Sequence, residues 1–131
     1  MKSIFLSLAI AVTAHAKPPE KFWGALHQIE TGGALGPTIG DNGAALGPYQ
    51  IHKKYFKDSK VKGAYPQCAD LAFSRKVVTA YLKLYAPKAW YISDCNVLFR
   101  THNGGPAAMR ATGTKKKNLD RYSAKALGLM K

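Results

Sequence analysis

Residues 30–51 read ETGGALGPTIGDNGAALGPYQI, and the fold turns on this stretch. Upstream of it, Phe22, Leu26 and Ile29 recur at helical spacing and form one apolar stripe. Pro18-Pro19-Glu20 opens that helix, with prolines where a missing N–H costs least. Gly32-Gly33 ends it. Asn42-Gly43 is a strong two-residue hairpin signal, and a strand is predicted to return through Tyr49-Gln50-Ile51.

Helical signals dominate the rest of the chain. Residues 52–56 predict a short helical turn. Residues 67–85 carry Cys68, Leu71, Val78, Leu82 and Tyr85 at helical spacing, and Pro87 is predicted to stop that helix. Ser93 is predicted to cap a helix through Val97, Leu98 and Arg100, which ends before Asn103-Gly104-Gly105-Pro106. Leu119, Tyr122 and Leu129 predict a final helix. The fold class that results is α+β, mainly helical with a small β-hairpin.

The chain has 131 residues, 47% of them hydrophobic, which is one domain's worth and too apolar for a disordered tail. It lacks a 20-residue apolar span, so a membrane-crossing helix is not predicted. Twenty Lys and Arg against seven Asp and Glu give a formal charge of +13. Such a surface favours polyanions: nucleic acid, anionic lipid or an acidic cell wall.

Residues 1–16 read as a secretory signal peptide. Lys2 supplies a basic start, residues 3–12 an apolar run, and Ala14-His15-Ala16 a cleavage pattern. The remaining domain is residues 17–131, and loss of Lys2 leaves a formal +12. In an oxidising compartment the pair Cys68 and Cys95 is expected to form one disulfide, worth roughly 3 to 4 kcal/mol by loop entropy. His27, His52 and His102 have no ligand spacing with either cysteine, so no metal site is predicted.

With seven acids, each can be asked for a structural task. Glu20, Asp70, Asp94 and Asp120 fall in predicted first helical turns, where negative charge favours the helix dipole. Asp58, between Lys57 and Lys60, reads as a solvated surface charge. Glu30 has no such account. It lies on the last helical turn, against the dipole, on one face with Trp23 and Leu26. Those surroundings favour a protonated carboxyl, as a general acid near neutral pH requires. Asp41 precedes the Asn42-Gly43 turn, and a hairpin folding back would set it opposite Glu30 across a groove. Paired carboxylates are the machinery of glycoside hydrolysis, although Asp before Asn-Gly is also ordinary turn chemistry.

The combination resembles the active-site segment of the invertebrate-type lysozymes, also called the destabilase family. The matching residues are Glu30-Thr31-Gly32-Gly33, Asp41, Gly47-Pro48-Tyr49-Gln50-Ile51 and Lys53-Lys54-Tyr55-Phe56. A second, separate block, Phe99-Arg100-Thr101-His102-Asn103-Gly104-Gly105-Pro106, is similar to another segment of that family, and residues 80–86 resemble its central helix. The chain departs from the family in holding only two cysteines.

The resemblance implies a lysozyme-like domain that cuts peptidoglycan between N-acetylmuramic acid and N-acetylglucosamine, with no cofactor. Glu30 would be the acid and later the base, and Asp41 the nucleophile or cation stabiliser. Asn42, Tyr49, Gln50, His102, Asn103 and Gly104 would contact substrate. A buried aromatic is the simpler account of Tyr49, and a helix stop of Asn103-Gly104. The implied partners are cell-wall peptidoglycan and an anionic bacterial surface, with Lys115-Lys116-Lys117 adding to the attraction. Goose-type lysozymes and lytic transglycosylases share the Glu, hairpin and Tyr-Gln-Ile features, so a single-carboxylate enzyme is the first alternative. A non-enzymatic cationic antimicrobial binder is the second. No recognised nucleic-acid motif is present.

Overall fold

The first helix forms where the sequence places it. In the computed structural model, which describes residues 17–131, α1 spans Glu20–Thr31 and Gly32 terminates it with a φ of 65°. The predicted signal peptide lies outside the described residues. Helix α1 buries Phe22, Trp23, Ala25 and Leu26. Phe22 stacks on Phe99 at 4.7 Å, which sets α1 against the centre of the molecule.

The Gly-rich stretch builds a sheet of three two-residue strands: β1 (Ile39–Gly40), β2 (Ala45–Leu46) and β3 (Ile51–His52). All pairs are antiparallel in the order β1-β2-β3, with Gly40 opposite Ala45 and Ala45 opposite His52. The turn between β1 and β2 is wider than two residues. Asp41, Asn42 and Gly43 all take positive φ, at 48°, 55° and 94°. The sheet is braced by Gly47, whose φ is 82° and which lies directly against the Cys68 carbonyl. A Cβ there would collide with that oxygen.

Among the described residues, five further α-helices enclose the core: α2 (Lys53–Ser59), α3 (Leu71–Tyr85), α4 (Pro87–Ile92), α5 (Cys95–Gly104) and α6 (Gly113–Gly128). Val77, Val78, Leu82, Leu98 and Phe99 are fully buried and join α3 and α5 to the face of α1. Several boundaries differ from the sequence reading. Pro87 does not merely stop α3; it occupies the first turn of α4, where its missing N–H is harmless. Ser93 is the left-handed C-cap of α4, and Asp94 caps α5 by accepting from the Val97 N–H at 3.2 Å. Asp70 caps α3 in the same way through Phe73, at 2.8 Å. Asp120 is not in a first turn. It lies within α6 and accepts from Arg100 at 2.5 Å and Lys116 at 2.7 Å, tying α6 to α5.

The disulfide expectation is overturned. Cys68 and Cys95 are both free and buried. Cys68 lies in the 3-10 turn Tyr65–Ala69, packed beneath the sheet, while Cys95 opens α5. A bridge needs Cβ atoms about 3.8 Å apart, and their separate elements hold them out of that range. Both serve as small apolar core groups. Burial pushes the Cys68 thiol up to about 11 and raises that of Cys95.

Candidate active site

One cleft, of about 310 Å³, collects Glu30, Gly40, Asp41, Gln50, His52, Tyr55, His102 and Asn103. Each arrives for a local reason. Glu30 is the penultimate residue of α1, held at the helix end by the Gly32 stop. Asp41 is carried out over the cleft by three successive left-handed residues, a conformation that Asp, Asn and Gly tolerate best. His52 ends β3 directly opposite Ala45, and its ring reaches back across the sheet. His102 and Asn103 come from the last turn of α5.

The two carboxylates differ in their surroundings. The Glu30 side chain is 15% exposed and that of Asp41 69%. On Glu30, Oε1 accepts from the Tyr122 hydroxyl of α6. The His102 Nε2 stands 3.4 Å from the same oxygen. Burial first, and then the Glu30 charge, hold the Tyr122 phenol far above its ordinary range, so it remains a neutral donor. Both protein contacts fall on Oε1, which leaves Oε2 for a reacting proton.

His102 is itself fixed. Its Nε2 lies 3.1 Å from the Tyr49 carbonyl, which can only accept, so Nε2 carries hydrogen. Nδ1 then accepts from the Tyr55 hydroxyl at 2.9 Å. Burial keeps that phenol well above its usual range, and its ring stacks on Tyr81 at 3.6 Å. The result is a relay of fixed groups: Tyr55 to His102, and His102 to Tyr49 and Glu30. Asp41 has a simpler environment. Its Oδ2 meets His52 Nε2 at 2.8 Å, in a solvent-exposed pair that orients more than it stabilises.

The other residues singled out in the sequence divide. Gln50 lines the cleft, but its amide donates to Thr38 and Gly47 carbonyls at 3.1 and 3.0 Å, bracing the hairpin. Asn103 is exposed at the cleft wall. Tyr49 does not present its ring to the cleft. It is 2% exposed, packed against Trp23 and His27 of α1 from the turn that leads into β3. Only its carbonyl serves the site. Asn42 shapes the turn and is absent from the cleft lining. Gly104 serves packing: a Cβ there would come within 2.8 Å of Leu119 on α6.

Sequence reasoning missed His52, Tyr55 and Tyr122 as site residues. His52 had a signal, since it directly follows Gln50-Ile51 and strand alternation turns it away from the buried Ile51, and Tyr55 lies three residues further on, in the first turn of α2. Tyr122 had none, lying 92 residues from Glu30.

No protein-family model matches the chain. In sequence it is 33% identical over 76 residues to Lysozyme 1 of Crassostrea virginica. That match takes in 56% of this chain but only 41% of the oyster protein, so the chain spans less than half the length of this curated relative. In structure it resembles the crystal structure of Tapes japonica lysozyme, with a TM-score of 0.64, 26% identity, and coverage of 89% of this chain and 91% of that one. It also matches the fold of a chain in the complex of Aeromonas hydrophila PliI with Meretrix lusoria lysozyme. There the TM-score is 0.63 at 24% identity, covering 83% of this chain and 91% of that chain. The resemblance to invertebrate-type lysozymes and the lysozyme-like α+β fold are thus borne out.

Proposed function

We propose that this relative of the invertebrate-type lysozymes is a secreted glycoside hydrolase acting on the β-1,4 bond between N-acetylmuramic acid and N-acetylglucosamine of peptidoglycan. The observation that carries this reading is a single cleft lined by two carboxylates of unlike surroundings, Glu30 and Asp41. Such a difference is what splits acid from base or nucleophile in glycosidases. Among the described residues no helix is long and apolar enough to cross a membrane. The apolar leader and the basic surface, formally +12 without Lys2, support export and attraction to an anionic wall.

In the proposed reaction the sugar chain lies across β1 and β3 toward α5. Glu30, protonated on Oε2, gives its proton to the leaving glycosidic oxygen. As the carboxylate forms, Oε1 keeps the Tyr122 hydroxyl and faces the His102 Nε2–H, and both dipoles favour the new charge. Asp41 faces the developing sugar cation as nucleophile or stabiliser, oriented by His52. Water then completes hydrolysis with Glu30 as base.

The test is Glu30→Gln on purified peptidoglycan. Hydrolysis should fall by about 10² to 10⁴ with wall binding retained. A fully active Glu30→Gln protein would refute the mechanism. Product analysis separates the alternatives: reducing ends mark hydrolysis, and 1,6-anhydro ends mark a lytic transglycosylase.

A further inference from the structure

A second groove, of about 340 Å³, adjoins the cleft through the Tyr122–Glu30 hydrogen bond. Its lining is Ile29, from the last turn of α1, and Asn118, Arg121, Tyr122 and Lys125 of α6. The four α6 residues recur at i, i+3, i+4 and i+7 and so share one helix face.

The charge here has no internal counterpart. Glu20 is held by Arg75, Asp58 by Lys54, Asp120 by Arg100 and Lys116, and Asp41 by His52. Glu30 is held by Tyr122 and faces His102, while Asp70 and Asp94 cap helices. Those are all seven acids of the chain, and residues 1–16 contain none. Arg121 and Lys125 therefore stand exposed, without a carboxylate partner among the described residues.

We infer that this groove is a subsite for the peptide carried by the wall glycan, with Arg121 and Lys125 receiving its free carboxylates. The inference rests on the peptidoglycan reading above and extends it. A guanidinium takes a carboxylate through two parallel hydrogen bonds, and an ammonium adds a point charge. The Asn118 amide suits a peptide bond. Ile29 and the Tyr122 ring give an apolar floor that suits aliphatic side chains of a peptide and offers nothing to a chain of phosphates. Because the floor includes Tyr122, a peptide seated there borders the residue that positions the proposed acid.

The experiment measures equilibrium binding of the full chain carrying Glu30→Gln, which keeps an acceptor oxygen for Tyr122 and separates binding from turnover. The probes are wall sacculi stripped of teichoic acid, before and after an amidase removes the stem peptides. Adding Arg121→Gln and Lys125→Gln should weaken binding to peptide-bearing walls by roughly tenfold. Binding to peptide-free glycan should equal that of the parent. Lys62→Gln with Lys76→Gln removes the same charge elsewhere and should stay within twofold of the parent. Three outcomes overturn the proposal: equal loss on both glycans, equal loss in the control pair, or loss that appears only when teichoic acid phosphate is left on the wall. Glu30→Gln protein that still cleaves walls would defeat Glu30 as the acid and leave the binding comparison to stand or fall by itself.

Discussion

Tyr122→Phe isolates the effect of a single hydrogen bond on the proposed acid. The ring, half-buried between α6 and α1, is kept, and only the hydroxyl that donates to Glu30 Oε1 is lost. Hydrogen bonds to a charged group contribute about 1.5 to 3 kcal/mol. The bond is strongest when Glu30 is ionised, which is the state reached as the proton leaves for the glycosidic oxygen. Its loss therefore falls mainly on the transition state. His102 stands farther off, at 3.4 Å, and its Nε2–H is shared with the Tyr49 carbonyl, so it can replace only part of the effect. A fall in kcat of about tenfold to a hundredfold follows, with KM nearly constant. Steady-state rates on a soluble glycan, with circular dichroism as a folding control, measure both constants. An unchanged kcat, or a loss that falls on KM alone, would refute the assignment of Tyr122 as the positioning residue of Glu30.

Three further outcomes are expected. Asp41→Asn should abolish most cleavage while Tm stays within a few degrees, since Asn tolerates the same positive φ; activity within a few-fold would make Asp41 a turn residue and favour a single-carboxylate enzyme. Cys68 and Cys95 should be silent to a thiol reagent in the native protein through pH 8 to 9, because burial raises both thiols and keeps the thiolate scarce; unfolding should release two thiols, and a mass two hydrogens lower would contradict this. Gly47→Ala should destabilise by roughly 2 to 4 kcal/mol, combining a left-handed backbone with a collision at the Cys68 carbonyl, whereas Gly43→Ala, equally left-handed but facing open space, should cost about 1 kcal/mol; equal losses in thermal melts would show that the close approach is unimportant.

The sequence by itself determined what depends on near neighbours. The limits of α1 followed from Pro18-Pro19-Glu20 and Gly32-Gly33, and the hairpin from a run of residues that accept positive φ. Glu30 stood out because a carboxylate at a helix C-terminus opposes the dipole and no local interaction accounts for it. Asp41 followed from its place in the turn, and both side chains line one cleft. Local rules failed where a residue's partner is distant. Asp120 reads as a first-turn acid until α5 brings Arg100 to it. The family resemblance assigns Tyr49 to the groove, and the simpler buried-aromatic account is the one that holds once Trp23 and His27 enclose its ring. The even cysteine count suggests a bridge, yet separation in space decides pairing, and two core positions were filled by thiols for their size and apolarity. The setting of Glu30 is the sharpest case. Tyr122 and His102 reach it from α6 and α5, so the oxygen that stays available for proton transfer is chosen by helix packing, over distances that residue periodicity does not encode.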